Sequence, residues 1–243
     1  MTDEKPPARS IRARVRAEMT EEIKQVALGH LARDGSALSL RAVARDMGMV
    51  SSAIYRYFPS RDELLTALII DAYESLGETA ETADRDADRQ DAYLARWFSV
   101  GHAIRRWALA RPAEYALIYG SPIPGYSAPV DTVAPATRTL AAMARCVADA
   151  EAAGKVKEPD SAIALPPTEN ADYAAELRAV ASALGFAEDS KVIERFLSAV
   201  THVFGAVNFE VFGRLNNAID QRGEWFDRQL RLLATTMGIN PQQ

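Results

Sequence analysis

The sequence of 243 residues lacks several features that would place it outside the cell or in a membrane. It has one cysteine, Cys146, so no disulfide can form within the chain, and a reducing compartment is favoured. No apolar run approaches the roughly 18 residues that a membrane-spanning helix needs, and the N-terminal MTDEKPPARS has no apolar core like that of a secretory signal. We therefore expect a cytoplasmic protein with no membrane segment, in which Cys146 is a small packed residue.

Motifs of common enzymes are missing as well. The sequence has no Gly-rich phosphate-binding loop, no His-Glu-x-x-His pattern and no nucleophile elbow. His102 and His202 are isolated and do not make a metal site. We therefore expect a protein that is not an enzyme and that has no cofactor and no bound metal.

Strand patterns are scarce too, which leaves helix as the dominant element. Few stretches alternate polar and apolar residues, whereas Ala, Leu, Arg and Glu are abundant. The length suits about two domains with substantial cores. We predict an all-α protein with an N-terminal three-helix domain and a helical C-terminal domain.

The net charge of −5 is unfavourable for binding a polyanion such as a nucleic acid until its distribution is considered. Residues 1–61 hold eleven Lys or Arg and seven Asp or Glu, a net charge of +4, so the other 182 residues hold −9. Local sign matters more than total charge for binding a polyanion. A basic head on an acidic body is therefore compatible with DNA binding.

The segment 38–65, LSLRAVARDMGMVSSAIYRYFPSRDELL, has the pattern of two short helices joined by a turn, with a third helix directly afterwards. Val43 and Met47 give the first helix an apolar side, and Gly48 follows where a left-handed backbone is common. Pro59 ends the second helix. This layout fits a helix-turn-helix, whose second helix enters the DNA major groove.

Small hydroxyl residues precede each of these helices, as N-caps do. A glutamate three residues after the last serine gives the third helix the pattern of a capping box. The predicted N-caps are Ser39, Ser51 or Ser52, and Ser60.

The same segment resembles the DNA-binding region of the TetR-type (TetR/AcrR) bacterial transcription regulators, over roughly residues 15 to 70. The alternation of Tyr55, Tyr57 and Phe58 before a small polar residue and a cation is the most specific part. The resemblance implies a protein that binds DNA as a homodimer, represses transcription, and releases the operator when a small molecule enters the C-terminal domain. The matching residues are Ala27, Gly35, Leu40, Val43, Ala44, Gly48, Ile54, Tyr55, Tyr57, Phe58, Ser60, Arg61, Leu64 and Leu65.

Side-chain chemistry assigns roles on the expected DNA surface. Tyr55 and Tyr57 offer phenols to phosphate oxygens, and Arg61 at a helix start is expected to pair with a phosphate. Arg41 is the candidate for a bidentate contact to guanine, with solvated surface charge as the alternative for it and for Arg56. The predicted DNA-binding set is Ser39, Arg41, Ser51, Ser52, Tyr55, Arg56, Tyr57 and Arg61.

The N-terminus is expected to be an arm rather than a helix. Pro6 and Pro7 argue against order before about residue 10, and the arginines between Arg9 and Arg16 are typical of arms that reach a minor groove or phosphates. A disordered, solubilising tail is the alternative. The first helix is predicted from about Arg14 to Arg33. The predicted domains are a flexible basic arm over 1–13, a helix-turn-helix DNA-binding domain over 14–60, and a helical effector-binding and dimerisation domain over 61–243.

The body is predicted to be helical apart from three connections. The acidic run 81–91 is expected to follow a fourth helix over about 61–82, and the loop 121–131, with three prolines and a glycine, cannot be regular helix. The segment 155–170 is the expected mobile loop. Further helices are predicted over about 91–110, 114–119, 132–153, 171–184, 189–213 and 223–237.

The last two predicted helices carry apolar residues at helical spacing and are expected to form a four-helix interface around a two-fold axis. Packing within the monomer alone is the alternative. Small residues such as Gly205 would permit close approach. The predicted dimer-interface residues are Phe196, Val200, Val203, Val207, Trp225, Phe226 and Leu230.

The body also resembles the C-terminal domain of an actinobacterial-type subgroup, in the runs RPAEYALIYGSPIPGYSAP (111–129) and VFGAVNFEVFGRL (203–215). A small-molecule site needs apolar walls with a few convergent polar groups. Plain core packing is the alternative for each residue. The predicted effector-binding residues are Trp97, Phe98, His102, Tyr115, Tyr119, His202 and Asn208.

The sequence thus predicts a ligand-responsive transcription regulator. Its expected partners are a double-stranded palindromic operator, an unidentified small-molecule effector, and a second copy of the chain. The alternatives are an activator or a ligand-unresponsive regulator of the same fold, or a helical interaction protein that does not bind DNA.

Overall fold

The structure, a computed structural model, describes residues 8–34, 38–87, 92–157 and 168–239. Within these ranges the chain forms ten α-helices, one short 3₁₀ helix (Val130–Thr132) and no strand, which confirms the all-α prediction. None of the described helices is long and apolar enough to cross a membrane. The helices are α1 Ala8–Asp34, α2 Leu40–Asp46, α3 Ser51–Ile54, α4 Arg61–Asp86, α5 Tyr93–Ala110, α6 Pro112–Tyr119, α7 Val133–Ala152, α8 Ala171–Ala183, α9 Ile193–Val211 and α10 Arg222–Met237.

The chain divides into two compact units. Unit one comprises the residues up to Ala72 together with Pro112–Thr132, and unit two comprises Tyr73–Arg111 and the residues from Val133 onwards. Helix α4 begins in unit one and ends in unit two. These units are defined by packing, and their boundaries differ from those of the predicted domains over 14–60 and 61–243. The predicted domains were defined by function, and they stay a prediction.

Unit one is built around an apolar core contributed by α1, α2, α3 and the start of α4. Ile23, Val43, Ile54 and Leu64 are completely buried in it. The segment that follows α5 packs on the same core through partly buried Leu117, Ile123 and Tyr126, and the Tyr126 hydroxyl shares a hydrogen bond of 2.9 Å with Thr66 Oγ1. The unit that carries α2 and α3 therefore includes α6 and the proline-containing loop, which are distant in sequence.

Unit two packs α5 against α7, α9 and α10. The fully buried Trp97 donates its indole N–H to the carbonyl of Leu230, at 3.0 Å. A Cβ added to Gly101 would lie 2.7 Å from the Leu230 side chain, so α5 and α10 approach closely at this glycine. Trp97 and Gly101, one turn apart on α5, thus meet the same residue of α10.

A buried ion pair joins α4, α5 and α7 within unit two. Arg96 Nε donates to Asp84 at 2.7 Å, with both side chains at 5% exposure or less, and Arg96 Nη1 donates to the half-exposed Asp149 at 2.8 Å. Burial opposes the charge on Arg96, but the two carboxylates outweigh it and raise the pKa of Arg96 above its ordinary value. Near this pair, burial raises the pKa of Cys146 to about 12, which suits an unreactive packed thiol.

Two helices extend beyond their predicted ends. Helix α1 begins at Ala8, so residues 8–13 are helical and not part of a flexible arm, because no proline or glycine follows Pro7 until Gly29. Helix α4 continues to Asp86, so residues 81–86 of the acidic run 81–91 are helical. This part of α4 is held by the ion pair of Asp84 with Arg96 and by that of Glu81 with Arg138, each at 2.7 Å. Residues 1–7 of the predicted arm, 88–91 of that run and 158–167 of the predicted loop lie outside the described residues.

Candidate nucleic-acid interface

The two predicted short helices and their turn are present. Helices α2 and α3 are separated by a turn in which Gly48 has φ +67°, and Met49 N–H donates to the carbonyl of Ala44 at 2.8 Å. A side chain at position 48 would be strained by this left-handed backbone although it would meet open space. The helix-turn-helix prediction is confirmed at this level of backbone structure.

The caps follow the prediction only in part. Glu63 N–H donates to Ser60 Oγ at 3.1 Å, which confirms the cap of α4. Ser39 is the N-cap residue of α2 but its side chain makes no cap hydrogen bond. The N-cap of α3 is Val50, whose extended backbone starts the helix one residue before the predicted serine cap, so the prediction for Ser51 or Ser52 is wrong. Both serines are consequently exposed in the first turn of α3.

Most of the predicted DNA-binding side chains are exposed. Ser39 and Arg41 flank the start of α2, Ser51 and Ser52 begin α3, and Tyr55 is 43% exposed just after it. Arg56 follows and is also exposed. Beneath them, the neighbouring Ile54 and Phe58 are buried, which fixes the segment to the core of unit one.

Tyr57 and Arg61 are more enclosed. Tyr57 packs partly on the core of unit one, and its ring centre lies 5.2 Å from the guanidinium carbon of Arg16 on α1. Arg61 Nε donates to the carbonyl of Leu38 at 3.2 Å, which ties the start of α4 to the chain just before α2. Arg61 thus has a structural partner besides any phosphate.

Ion pairs occupy several other cations of unit one. Lys24 is paired with Asp71 and Glu21; burial lowers the pKa of Lys24, but the two carboxylates outweigh burial and the net pKa lies above its ordinary value. His30 Nε2 lies 2.9 Å from Asp46 at the end of α2, so this buried histidine belongs to the packing between α1 and α2. The exposed arginines near the turn are Arg41, Arg45 and Arg56, of which Arg45 lies 3.7 Å from Asp46.

The predicted effector-binding residues are distributed over both units. Tyr115 and Tyr119 lie on α6 in unit one, with ring centres 5.1 Å apart, and burial raises the pKa of Tyr115 above its ordinary range. In unit two, His102 Nε2 is 2.6 Å from Asp227, and its ring contacts the ring of Phe98. Two members of the predicted set therefore belong to unit one and the other five to unit two.

The remaining members of that set differ in environment. Trp97 is completely buried, whereas His202 is exposed and lies 3.0 Å from Gln229. Asn208 Oδ1 on α9 is a buried acceptor for which the described part of the chain supplies no hydrogen-bond partner. Among the described residues, no cluster of three or more His, Cys, Asp or Glu could hold a metal ion.

Most of the predicted dimer-interface residues take part in packing within the chain. Five of them, on the inner faces of α9 and α10, are buried by the chain's own packing and present no surface to a second copy. Only Val200 and Trp225 are partly exposed. The apolar spacing identified the side of each helix that packs inwards, because packing within the chain and packing between two copies both favour apolar residues at helical spacing. The five buried residues are Phe196, Val203, Val207, Phe226 and Leu230.

The outer faces of the same helices carry residues that the spacing did not reveal. Phe209 is 48% exposed, Phe212 at the end of α9 is 41% exposed, and Leu232 on α10 is 55% exposed. A Cβ added to Gly205 on α9 would meet nothing within 4 Å. The sequence does hold a signal for these residues, because they are large apolar side chains that lie outside the inward-facing apolar stripe of α9 and α10.

Comparison with known proteins gives matches in both parts of the chain. The family described as "Bacterial regulatory proteins, tetR family" matches residues 30–68, and the family "Tetracyclin repressor-like, C-terminal domain" matches residues 97–233. The chain is 37% identical over 231 residues to the HTH-type transcriptional regulators Rv1816 of Mycobacterium tuberculosis and Mb1846 of Mycobacterium bovis, covering 94% of this chain and 94% of each relative. Its structure resembles the crystal structure of the protein SCO4313, with a TM-score of 0.70, 32% identity, and coverage of 92% of this chain and 98% of that one.

Proposed function

Because this chain belongs to the TetR family of bacterial transcriptional regulators, we propose that it is a homodimeric repressor that a small molecule releases from a palindromic operator. The family makes it a transcriptional regulator with a DNA-binding helix-turn-helix. The observation that carries the proposal is the exposure of Ser51, Ser52, Tyr55 and Arg56 on a segment whose Ile54 is fully buried. Such a surface holds hydroxyl and basic groups in fixed positions for a major groove.

The roles on this surface follow from chemistry. Tyr55 and Tyr57 bind phosphate oxygens, and Arg61, beside the start of α4, adds a phosphate contact. Arg41 makes the bidentate contact to guanine O6 and N7, and Arg56 adds a base-edge contact. Ser39, Ser51 and Ser52 complete the set with short hydroxyl groups, which bond phosphates or base edges at close range.

The experiment that tests the proposal is selection of bound duplexes from a random DNA pool at fixed salt concentration. Enrichment of an inverted repeat, with half-sites about one helical turn or a multiple apart, is the expected result. Weak, salt-sensitive binding without enrichment would contradict operator recognition, because nonspecific affinity arises from phosphate neutralisation alone.

We expect Tyr55→Ala and Arg41→Ala to weaken DNA binding in different ways. Tyr55→Ala should lower the affinity for the selected operator and for a scrambled duplex by a similar factor, because a phosphate contact carries no sequence information. Arg41→Ala should cost about 1–3 kcal/mol on the operator and relax the preference at one base pair. Fluorescence anisotropy on a panel of single-substitution operators measures both effects. A uniform loss in Arg41→Ala would contradict its assignment to base reading.

Dimerisation is assigned to the outer faces of α9 and α10. Phe209, Phe212 and Leu232 supply exposed apolar area, and Gly205 lets a second helix approach closely. Two helices from each copy then form a four-helix contact around a two-fold axis. A dimer places two helix-turn-helix units at once on an inverted repeat, as palindrome reading requires.

We expect Phe209→Glu and Leu232→Glu each to raise the dissociation constant of the dimer at least about tenfold, because a buried carboxylate would lack a partner. Size-exclusion chromatography with light scattering over a dilution series measures this shift. Val130→Glu is the matched control, since Val130 is 80% exposed in unit one and lies outside the proposed interface. An unchanged dimer in both variants would move the interface away from these helices.

The effector response is assigned to unit two. Asn208 Oδ1, a buried acceptor without a partner among the described residues, supports a ligand that donates a hydrogen bond there. Of the three members of the predicted set on the neighbouring α5, Phe98 and His102 are partly exposed, whereas Trp97 is completely buried. The effector must bind the non-DNA conformation better than the DNA-bound one, because equal affinity would shift nothing. Helix α4, which belongs to both units, carries the change.

A further inference from the structure

The recognition segment, residues 51–58, has an unusual end. Helix α3 spans only Ser51–Ile54, and the chain continues to Phe58 through hydrogen bonds from Arg56 N–H to the carbonyl of Ala53 and from Tyr57 N–H and Phe58 N–H to the carbonyl of Ile54. Carbonyl groups at the end of a helix lack partners from the next turn. The N–H groups of Arg56, Tyr57 and Phe58 are thus bonded within the segment, whereas the carbonyl of Arg56 accepts its hydrogen bond from another helix.

Helix α1 supplies that hydrogen bond. Arg16 Nη2 donates to the carbonyl of Arg56 at 2.8 Å, across 40 positions of sequence, and the Arg16 guanidinium carbon lies 5.2 Å from the ring centre of Tyr57. A planar guanidinium can donate in its plane and stack on an aromatic ring with its face, whereas the compact ammonium of a lysine has no planar face to stack. One side chain thus holds the backbone of Arg56 and the ring of Tyr57 together.

We infer that Arg16 is a positioning residue that fixes the end of the recognition segment and thereby sets its selectivity for the operator. This inference rests on the proposed operator binding and names a residue outside the helix-turn-helix itself. A cation at an exposed position of α1 could instead neutralise a phosphate directly. The two roles differ in what they control: a phosphate contact sets affinity for all duplexes, whereas a positioning contact sets the difference between duplexes.

A neighbouring arginine provides a matched control. Arg14 lies two residues earlier on α1, and its guanidinium is 3.4 Å from Glu18, with both side chains more than 60% exposed. Replacing Arg14 removes the same charge from the same helix without touching the contact to Arg56 or Tyr57. Any effect that both substitutions share is due to charge.

The experiment uses the full-length chain and the operator obtained by selection. Dissociation constants are measured for this operator and for a scrambled duplex of equal length over a series of salt concentrations, with the wild type, Arg16→Ala, Arg16→Lys and Arg14→Ala. We expect Arg16→Ala to lower the ratio of specific to nonspecific affinity at least about tenfold while the thermal midpoint stays close to that of the wild type. Arg16→Lys keeps the charge and should recover only a minor part of this ratio, and Arg14→Ala should leave the ratio unchanged.

The contrary outcomes are distinct. Equal decreases in affinity for both duplexes in Arg16→Ala, with a salt slope reduced by about 0.9 for each phosphate that is no longer neutralised, would make Arg16 a phosphate ligand and overturn the inference. Full recovery of the ratio by Arg16→Lys would overturn it too, because charge alone would then suffice. If Arg16→Ala does not fold, the ratio in Arg16→Lys decides. If the wild type enriches no sequence, operator binding itself is refuted, and the inference about Arg16 with it. This outcome is recognised from the wild-type selection alone, before any variant is measured.

Discussion

Arg96→Met is expected to lower the free energy of unfolding of unit two by about 3–5 kcal/mol. Asp84 is 1% exposed and accepts from Arg96 at 2.7 Å, so removal of the guanidinium leaves a buried carboxylate without its main partner. Methionine retains most of the side-chain volume, which separates loss of charge from loss of packing. Urea unfolding followed by tryptophan fluorescence measures the change, since Trp97, Trp107 and Trp225 all lie in unit two.

Two further variants test whether the loss of stability in Arg96→Met is due to the buried charge. Arg145→Met removes a second cation near the same carboxylate, at 3.4 Å but 45% exposed, and should cost less than about 1 kcal/mol. The double variant Asp84→Leu with Arg96→Met replaces both charges by apolar groups and should recover much of the stability. A double variant as unstable as Arg96→Met would show that the pair acts through packing rather than through its charges.

Trp97→Ala is expected to destabilise unit two by about 3–5 kcal/mol. The indole is completely buried and donates to Leu230, and Gly101 one turn later already brings α5 close to α10, so the cavity cannot collapse by a simple shift of the helix. Trp97→Phe should cost only about 1 kcal/mol, because it keeps an aromatic ring and removes one hydrogen bond. Thermal and urea unfolding measure both variants.

The same pair of substitutions decides whether Trp97 belongs to the predicted effector set. Leu109→Ala on the same helix is the control, since Leu109 is 41% exposed and its truncation should change stability by no more than about 0.5 kcal/mol. If Trp97→Phe retains DNA binding and effector release, Trp97 acts through packing, as its burial indicates. Loss of release in a stable Trp97→Phe variant would instead place the indole against the ligand.

Local pattern was sufficient for most of the secondary structure. The apolar spacing of Val43 and Met47 and the glycine at position 48 predicted α2 and the turn, and the structure confirms them. The prediction that Pro59 ends the second helix is wrong, because α3 already ends at Ile54 and the chain reaches Pro59 through a turn. The all-α class and the family resemblance are confirmed as well. The helix starts failed where a cap was inferred from residue type, as at Ser51, because several neighbouring residues can begin the same helix.

Contacts between distant segments were beyond reach of these patterns. Nothing near Tyr126 in the sequence indicates that its hydroxyl meets Thr66 and that α6 belongs to unit one. Arg16 was grouped with arginines of an arm, because its partner Arg56 lies 40 residues away and Tyr57 follows it. The burial of the inner faces of α9 and α10 within the chain likewise depends on which helix faces which.

By itself, the sequence determined that this protein is helical and carries a helix-turn-helix, and it placed hydroxyl and basic residues in that motif. These properties depend on interactions over three or four residues, which side-chain type and spacing encode directly. Three other properties depend on tertiary packing: which apolar faces are buried, the inclusion of α6 in unit one, and the contact of Arg16 with the recognition segment. Such contacts join residues far apart in the chain, and their partners are fixed by the packing of whole helices rather than by any local pattern.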